Sequence, residues 1–81
     1  LVLNFPQLNM DNKLAKIFKS LFGVEEFTEE LSVESVNKWD SINHLSLVME
    51  IEKEFGVEFS VVESINMSCV KEIKKLLAEK S

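Results

Sequence analysis

An all-α fold, a small four-helix bundle with three main helices and one short one, is what this sequence predicts. Three observations carry the prediction. Apolar residues recur at helical spacing in three separate stretches. Only two Gly and one Pro interrupt the 81 residues, too few for the tight turns of an all-β domain. Residues that start and stop helices stand at the edges of the periodic stretches.

The first helix is read over residues 11–22. Leu14, Ile17, Phe18, Leu21 and Phe22 follow the i, i+3, i+4, i+7 pattern of one buried face. Asp11 suits its N-cap, and Gly23 sits where a left-handed residue ends a helix. Met10 followed by Asp11 reads as a natural start. Residues 1–9 are therefore expected to be an upstream remnant, and residues 10–81 a single domain.

Residues 23–40 form a long connection. An irregular segment of this length is uncommon in a compact domain and is often functional. Its apolar residues Val24, Phe27, Leu31, Val33, Val36 and Trp39 are expected to pin it across the helices. Trp39 is read as a packing anchor.

The second helix spans residues 41–55, capped by Asp40 or Ser41 and uninterrupted until Gly56. At about 100° per residue, Leu47, Val48, Ile51 and Phe55 share one face, flanked by Leu45 and His44. Ile42 and Met49 fall on nearly the opposite side. One apolar stripe is enough to join a core. Periodicity leaves open whether this second pair is a contact surface or scattered surface residues.

Past Gly56, Val57-Glu58-Phe59 is an extended link. Ser60-Val61-Val62-Glu63 has the form of a capping box and opens a short third helix to about Asn66. Ser68 is then expected to cap the last helix. Val70, Ile73, Leu76 and Leu77 give that helix its buried stripe, and Lys71, Lys74, Lys75 and Lys80 its solvated side.

Composition narrows the function. So short a chain has a thin core, with little room for a deep catalytic pocket. A net charge of −5 offers no basic stripe for nucleic acid and is repelled by an anionic membrane. It suits a protein partner with a basic docking surface. The lone Cys69 excludes an internal disulfide and a cysteine-rich zinc site, and it fits a reducing, cytoplasmic setting. No apolar run reaches the roughly 18–20 residues that span a bilayer, and Leu1-Val2-Leu3 is too short for a signal-peptide core.

The segment from Trp39-Asp40-Ser41-Ile42 to Glu52-Lys53-Glu54-Phe55-Gly56 resembles the signature of acyl carrier proteins. In that family D-S-[LI] follows a long loop and opens a helix that ends in E-x-x-F-G. The likeness extends over about residues 10–80. It takes in an amphipathic first helix, an acidic loop, a short third helix and a Lys-rich last one.

The resemblance implies a carrier, not an enzyme. Ser41 would be the attachment site of 4′-phosphopantetheine, supplied by coenzyme A, and Asp40 would help a phosphopantetheinyl transferase engage it. The thiol of the arm would hold acyl groups as thioesters. Ile42 and Met49 would dock on acyl-loading and acyl-processing enzymes, with Glu50 and Glu52 against their basic residues. Leu45, Val48, Ile51, Phe55, Phe59 and Met67 would line an acyl-chain pocket.

A helix N-terminus suits the phosphodiester physically, because its unpaired N–H groups and dipole favour an anion. Neutral Asn43, His44 and Ser46 and basic Lys53 depart from the acidic fatty-acid-synthase type. The W-D-S lead-in looks more like discrete carriers of specialised or surface-glycan pathways. A monomer is expected. A peptidyl or D-alanyl carrier stands within the same class. A helical protein-interaction module, with Ser41 only a cap, stands outside it.

Asp40, Ser41 and His44 also invite a hydrolase triad, but the spacing opposes it. Asp40 is the sequence neighbour of Ser41, and no Gly-rich turn offers a nucleophile elbow. No metal site is expected either: the single His44 has no second His and only one distant Cys.

Overall fold

The computed structural model describes residues 7–80, and the described residues fold as four helices without a β-strand. In chain order these are α1 (Gln7–Phe22), α2 (Ser41–Phe55), α3 (Val61–Asn66) and α4 (Val70–Lys80).

The first helix starts four residues earlier than its periodicity suggested. Met10 lies one turn before Leu14 and is buried in the core with Leu14, Phe18, Leu47, Ile51, Ile73 and Leu77. The apolar stripe thus extends upstream, and Asp11 is an interior helix residue and not a cap. The expected boundary after residue 9 falls inside α1; residues 1–6 lie outside the described residues.

Both glycines end helices as expected. Gly23 (φ 71°) and Gly56 (φ 66°) adopt the left-handed conformation that L side chains disfavour. Each amide returns to the carbonyl four residues back, Gly23 to Lys19 at 2.9 Å and Gly56 to Glu52 at 2.8 Å. The capping box at α3 is complete. Ser60 Oγ accepts from the Glu63 amide at 3.1 Å, and Glu63 Oε1 accepts from the Ser60 amide at 2.9 Å. That backbone donor, followed by the Lys80 ammonium 3.1 Å away, lowers the Glu63 pKa.

The connection between α1 and α2 is tied down at its centre. The Val33 amide donates to Ser68 O at 3.0 Å and the Val70 amide to Leu31 O at 2.9 Å, around an antiparallel bridge of Ser32 with Cys69. This bridge displaces the expected cap. Cys69, not Ser68, precedes α4 and offers its carbonyl to the Ile73 amide.

Val36 and Trp39 are buried, and Val24, Phe27 and Leu31 pack partly against the core, as a pinned loop requires. Val33 differs, at 41% exposed. Trp39 is only 3% exposed and packs against both Phe18 and Phe22, with ring centroids 5.2 and 5.7 Å away. It is a packing anchor.

The lysine face of α4 is less solvated than its spacing suggested. Lys74 keeps 11% of its side chain exposed and reaches Asp11 Oδ1 and Glu29 Oε2, each at 2.7 Å. Burial works against its charge, but the two carboxylates outweigh it and raise the Lys74 pKa. One ammonium thereby joins α1, the connection and α4. Lys80 bonds Glu63 and lies 5.4 Å from the Phe59 ring centroid.

Candidate attachment site

Asp40 is the residue that caps α2. Its backbone is extended (φ −99°, ψ −174°), and its Oδ1 accepts from the Asn43 amide at 2.9 Å. The Asn43 side chain in turn donates to Lys38 O at 2.7 Å. The end of the connection is thus held against the first turn of α2 from both sides. Ser41 is the first helical residue and is exposed to solvent.

His44, one turn further on, is half-buried and fully engaged. Trp39 Nε1–H donates to its Nδ1 at 2.9 Å, and its Nε2 lies 2.7 Å from Ser64 O. An indole N–H can only donate, so Nδ1 carries the lone pair and Nε2 the proton. Neither nitrogen is left to take a proton from Ser41. The triad that the Asp40, Ser41 and His44 order invites is therefore not assembled.

Beside Ser41 lies a mostly apolar groove of roughly 620 Å3, lined by Val33, Trp39, His44, Leu45, Val61 and Ile65, with Asp40, Ser41, Ser64 and Ser68 at its polar points. It takes one wall from the connection, one from α2 and one from α3.

The six residues expected to line an acyl pocket do not meet around one opening. Val48, Ile51 and Met67 are closed into the core, and Phe55 and Phe59 pack half-buried against it. Leu45 stands outside at 62% exposed and belongs to the groove. In so thin a bundle the inward face of α2 is used up by packing on α1 and by the shared core.

Sequence reasoning did not find Val33, Val61 and Ile65 as groove residues. A signal existed in the short third helix. Val61, Val62 and Ile65 are large apolar residues that a six-residue helix leaves exposed.

The expected docking residues fall on the outward side of α2. Ile42 (77% exposed), Met49 and Glu50 all face solvent. Glu52 is half-buried, and its Oε2 accepts from the Phe59 amide at 2.9 Å, so it holds the link to α3. Among the described residues no cluster of His, Cys, Asp and Glu could hold a metal ion, and no helix is long and apolar enough to cross a membrane.

The four-helix fold has a solved counterpart. A solved structure described as a putative acyl carrier protein from Mycobacterium tuberculosis superposes with a TM-score of 0.77 at 18% identity, covering 86% of this chain and 96% of that one. No family model and no curated protein matches the chain.

Proposed function

We propose that this chain is an acyl carrier protein whose Ser41 bears a 4′-phosphopantetheine arm taken from coenzyme A. The observation that supports this best is the placement of Ser41. It is an exposed hydroxyl on the first residue of a 15-residue helix, behind a capping aspartate, in an acyl-carrier-like fold.

The residues present fit such an arm. The first-turn amides of α2 and its dipole favour a phosphodiester on Ser41. Asp40 is already committed to the Asn43 amide, which keeps its carboxylate engaged at the cap. When attached, the arm supplies a terminal thiol that holds acyl groups as thioesters. The protein presents it and supplies the address read by partner enzymes.

Ile42 and Met49 form the apolar part of that address. Glu50 and the overall charge of −5 draw basic partner surfaces, chiefly by speeding encounter. Glu52 contributes less directly, since one carboxylate oxygen is occupied by Phe59. A phosphopantetheinyl transferase and acyl-loading and acyl-processing enzymes are the expected partners, in a reducing compartment that keeps the thiol free. An acyl chain would enter first at the groove beside Ser41. A deeper pocket among Val48, Ile51, Phe55, Phe59 and Met67 requires the core to open.

The test is incubation of the purified chain with a broad-specificity phosphopantetheinyl transferase, coenzyme A and magnesium, followed by intact-mass measurement. The expected result is a gain of one phosphopantetheine that disappears in Ser41→Ala. No gain in a folded chain overturns the reading. In that case the exposed apolar residues of α2 and α3 favour an interaction module without a prosthetic group.

A further inference from the structure

Few contacts seat α3. The helix is six residues long and buries none of its side chains, while Val61, Val62 and Ile65 are all exposed. Its C-terminal end is held by the His44 ring at Ser64 O, a carbonyl that also accepts from the Met67 amide at 3.2 Å. Its N-terminal end is held by Lys80 at Glu63 and, through the preceding link, by Glu52 at Phe59.

The ring that reaches Ser64 is itself positioned by Trp39. The two ring planes lie within 19° of each other, with Nε1 to Nδ1 at 2.9 Å. We propose that neutral His44 is a positioning residue, a clasp that seats α3 against the start of α2 and sets the groove beside Ser41, and that protonation of its ring releases the clasp.

The chemistry follows from the donor inventory. A proton added at Nδ1 turns the acceptor into a donor and sets N–H against the Trp39 N–H. The indole is 3% exposed and packs on both Phe18 and Phe22, so it is held more firmly than the half-buried imidazole. The imidazolium therefore swings away, taking Nε2 off Ser64 O. Two hydrogen bonds are lost together, and the Trp39 N–H is left buried without its partner.

The carboxylates of the flanking segments are each engaged through one oxygen, Asp40 Oδ1 and Glu63 Oε1. Asp40, at the cap of α2, is committed to Asn43. Glu63 of α3 is committed to Ser60 and to Lys80 of α4. The connection and the α3–α4 link present uncharged Trp39, Val33 and Ser68 to the groove. The consequence for a bound acyl chain, an altered groove when His44 is charged, rests on the carrier reading of Ser41. The clasp itself does not, and it is tested on the unmodified chain.

The experiment is a pH titration by heteronuclear NMR. It follows the His44 ring nitrogens, the Trp39 indole N–H and the Glu63–Met67 amides. In the wild type these signals are expected to shift together with the midpoint of the His44 ring. Relative to the intrinsic exchange rate at each pH, protection of the Met67 amide is expected to fall roughly fivefold in the charged form, the scale of one lost hydrogen bond.

His44→Gln is the control, because its amide can accept and donate at any pH. It retains Asp40 and Glu63, so a transition caused by either carboxylate would persist in it. The proposal predicts that the coupled transition is absent from His44→Gln. The proposal is overturned if the Trp39 and α3 signals stay put while His44 titrates, or if His44 remains neutral until the chain unfolds. It is also overturned if His44→Gln shows the same transition. Should that variant not fold, the wild-type titration decides alone.

Discussion

Replacing Trp39 by Phe tests the anchor that holds the connection in place ahead of Ser41. The indole is almost wholly buried against Phe18 and Phe22, and its Nε1–H reaches His44 at 2.9 Å. Phe keeps most of the ring packing but loses the hydrogen bond, worth about 1 kcal/mol. The smaller ring also leaves a cavity, adding about 1 kcal/mol. A total near 2 kcal/mol is a large share of the roughly 4–12 kcal/mol expected for a chain this size. The melting temperature should fall by roughly 8–16 °C.

Urea unfolding followed by circular dichroism gives the free energy directly, since the variant lacks the only tryptophan. The m-value should not change. Repeating the substitution in a His44→Phe background completes a double-mutant cycle, with a coupling of about 1 kcal/mol expected. A loss below about 0.5 kcal/mol, the level of an ordinary surface change, would refute the anchor. Strict additivity with His44→Phe would refute the hydrogen bond.

Two other perturbations separate backbone from charge effects. Gly56→Ala should cost about 1 kcal/mol from its left-handed backbone alone, since a Cβ there meets nothing within 4 Å; an unchanged urea midpoint would contradict this. Lys74→Met should cost about 1 kcal/mol at neutral pH, because both partner carboxylates remain partly exposed. The folded-state pKa of Lys74 is raised, so its contribution is complete below the ordinary 10.5 and is lost as pH climbs through the folded value. Melting curves of the wild type and Lys74→Met should therefore differ at neutral pH and converge in that alkaline range.

The helices were legible because their signals are local. The stripes of α1, α2 and α4, the glycine stops and the Ser60–Glu63 box each involve residues within two turns of one another. Even the early start of α1 had a local trace, since Met10 continues the Leu14 stripe by one turn. The position of Ser41 at the start of α2 was legible for the same reason.

The groove, the occupied His44 ring and the twice-paired, partly buried Lys74 were not legible. Each joins residues from separate elements, as Val33 meets Leu45 and Ile65, or Lys74 meets Asp11 and Glu29. Periodicity assigns a charged residue opposite an apolar stripe to solvent. It carries no information about a carboxylate arriving from elsewhere in the chain.

The Ser32–Cys69 bridge bears on the order in which the chain folds. Helices form from near neighbours and fast, whereas two backbone segments this far apart must wait for the loop between them to close. The rates tell which side of the barrier the bridge forms on: weakening it slows folding if it is present in the transition state and speeds unfolding if it is not. In the folded molecule it acts as a bolt, since the connection can swing off the helices only when the Val33 and Val70 amides both let go of Ser68 and Leu31.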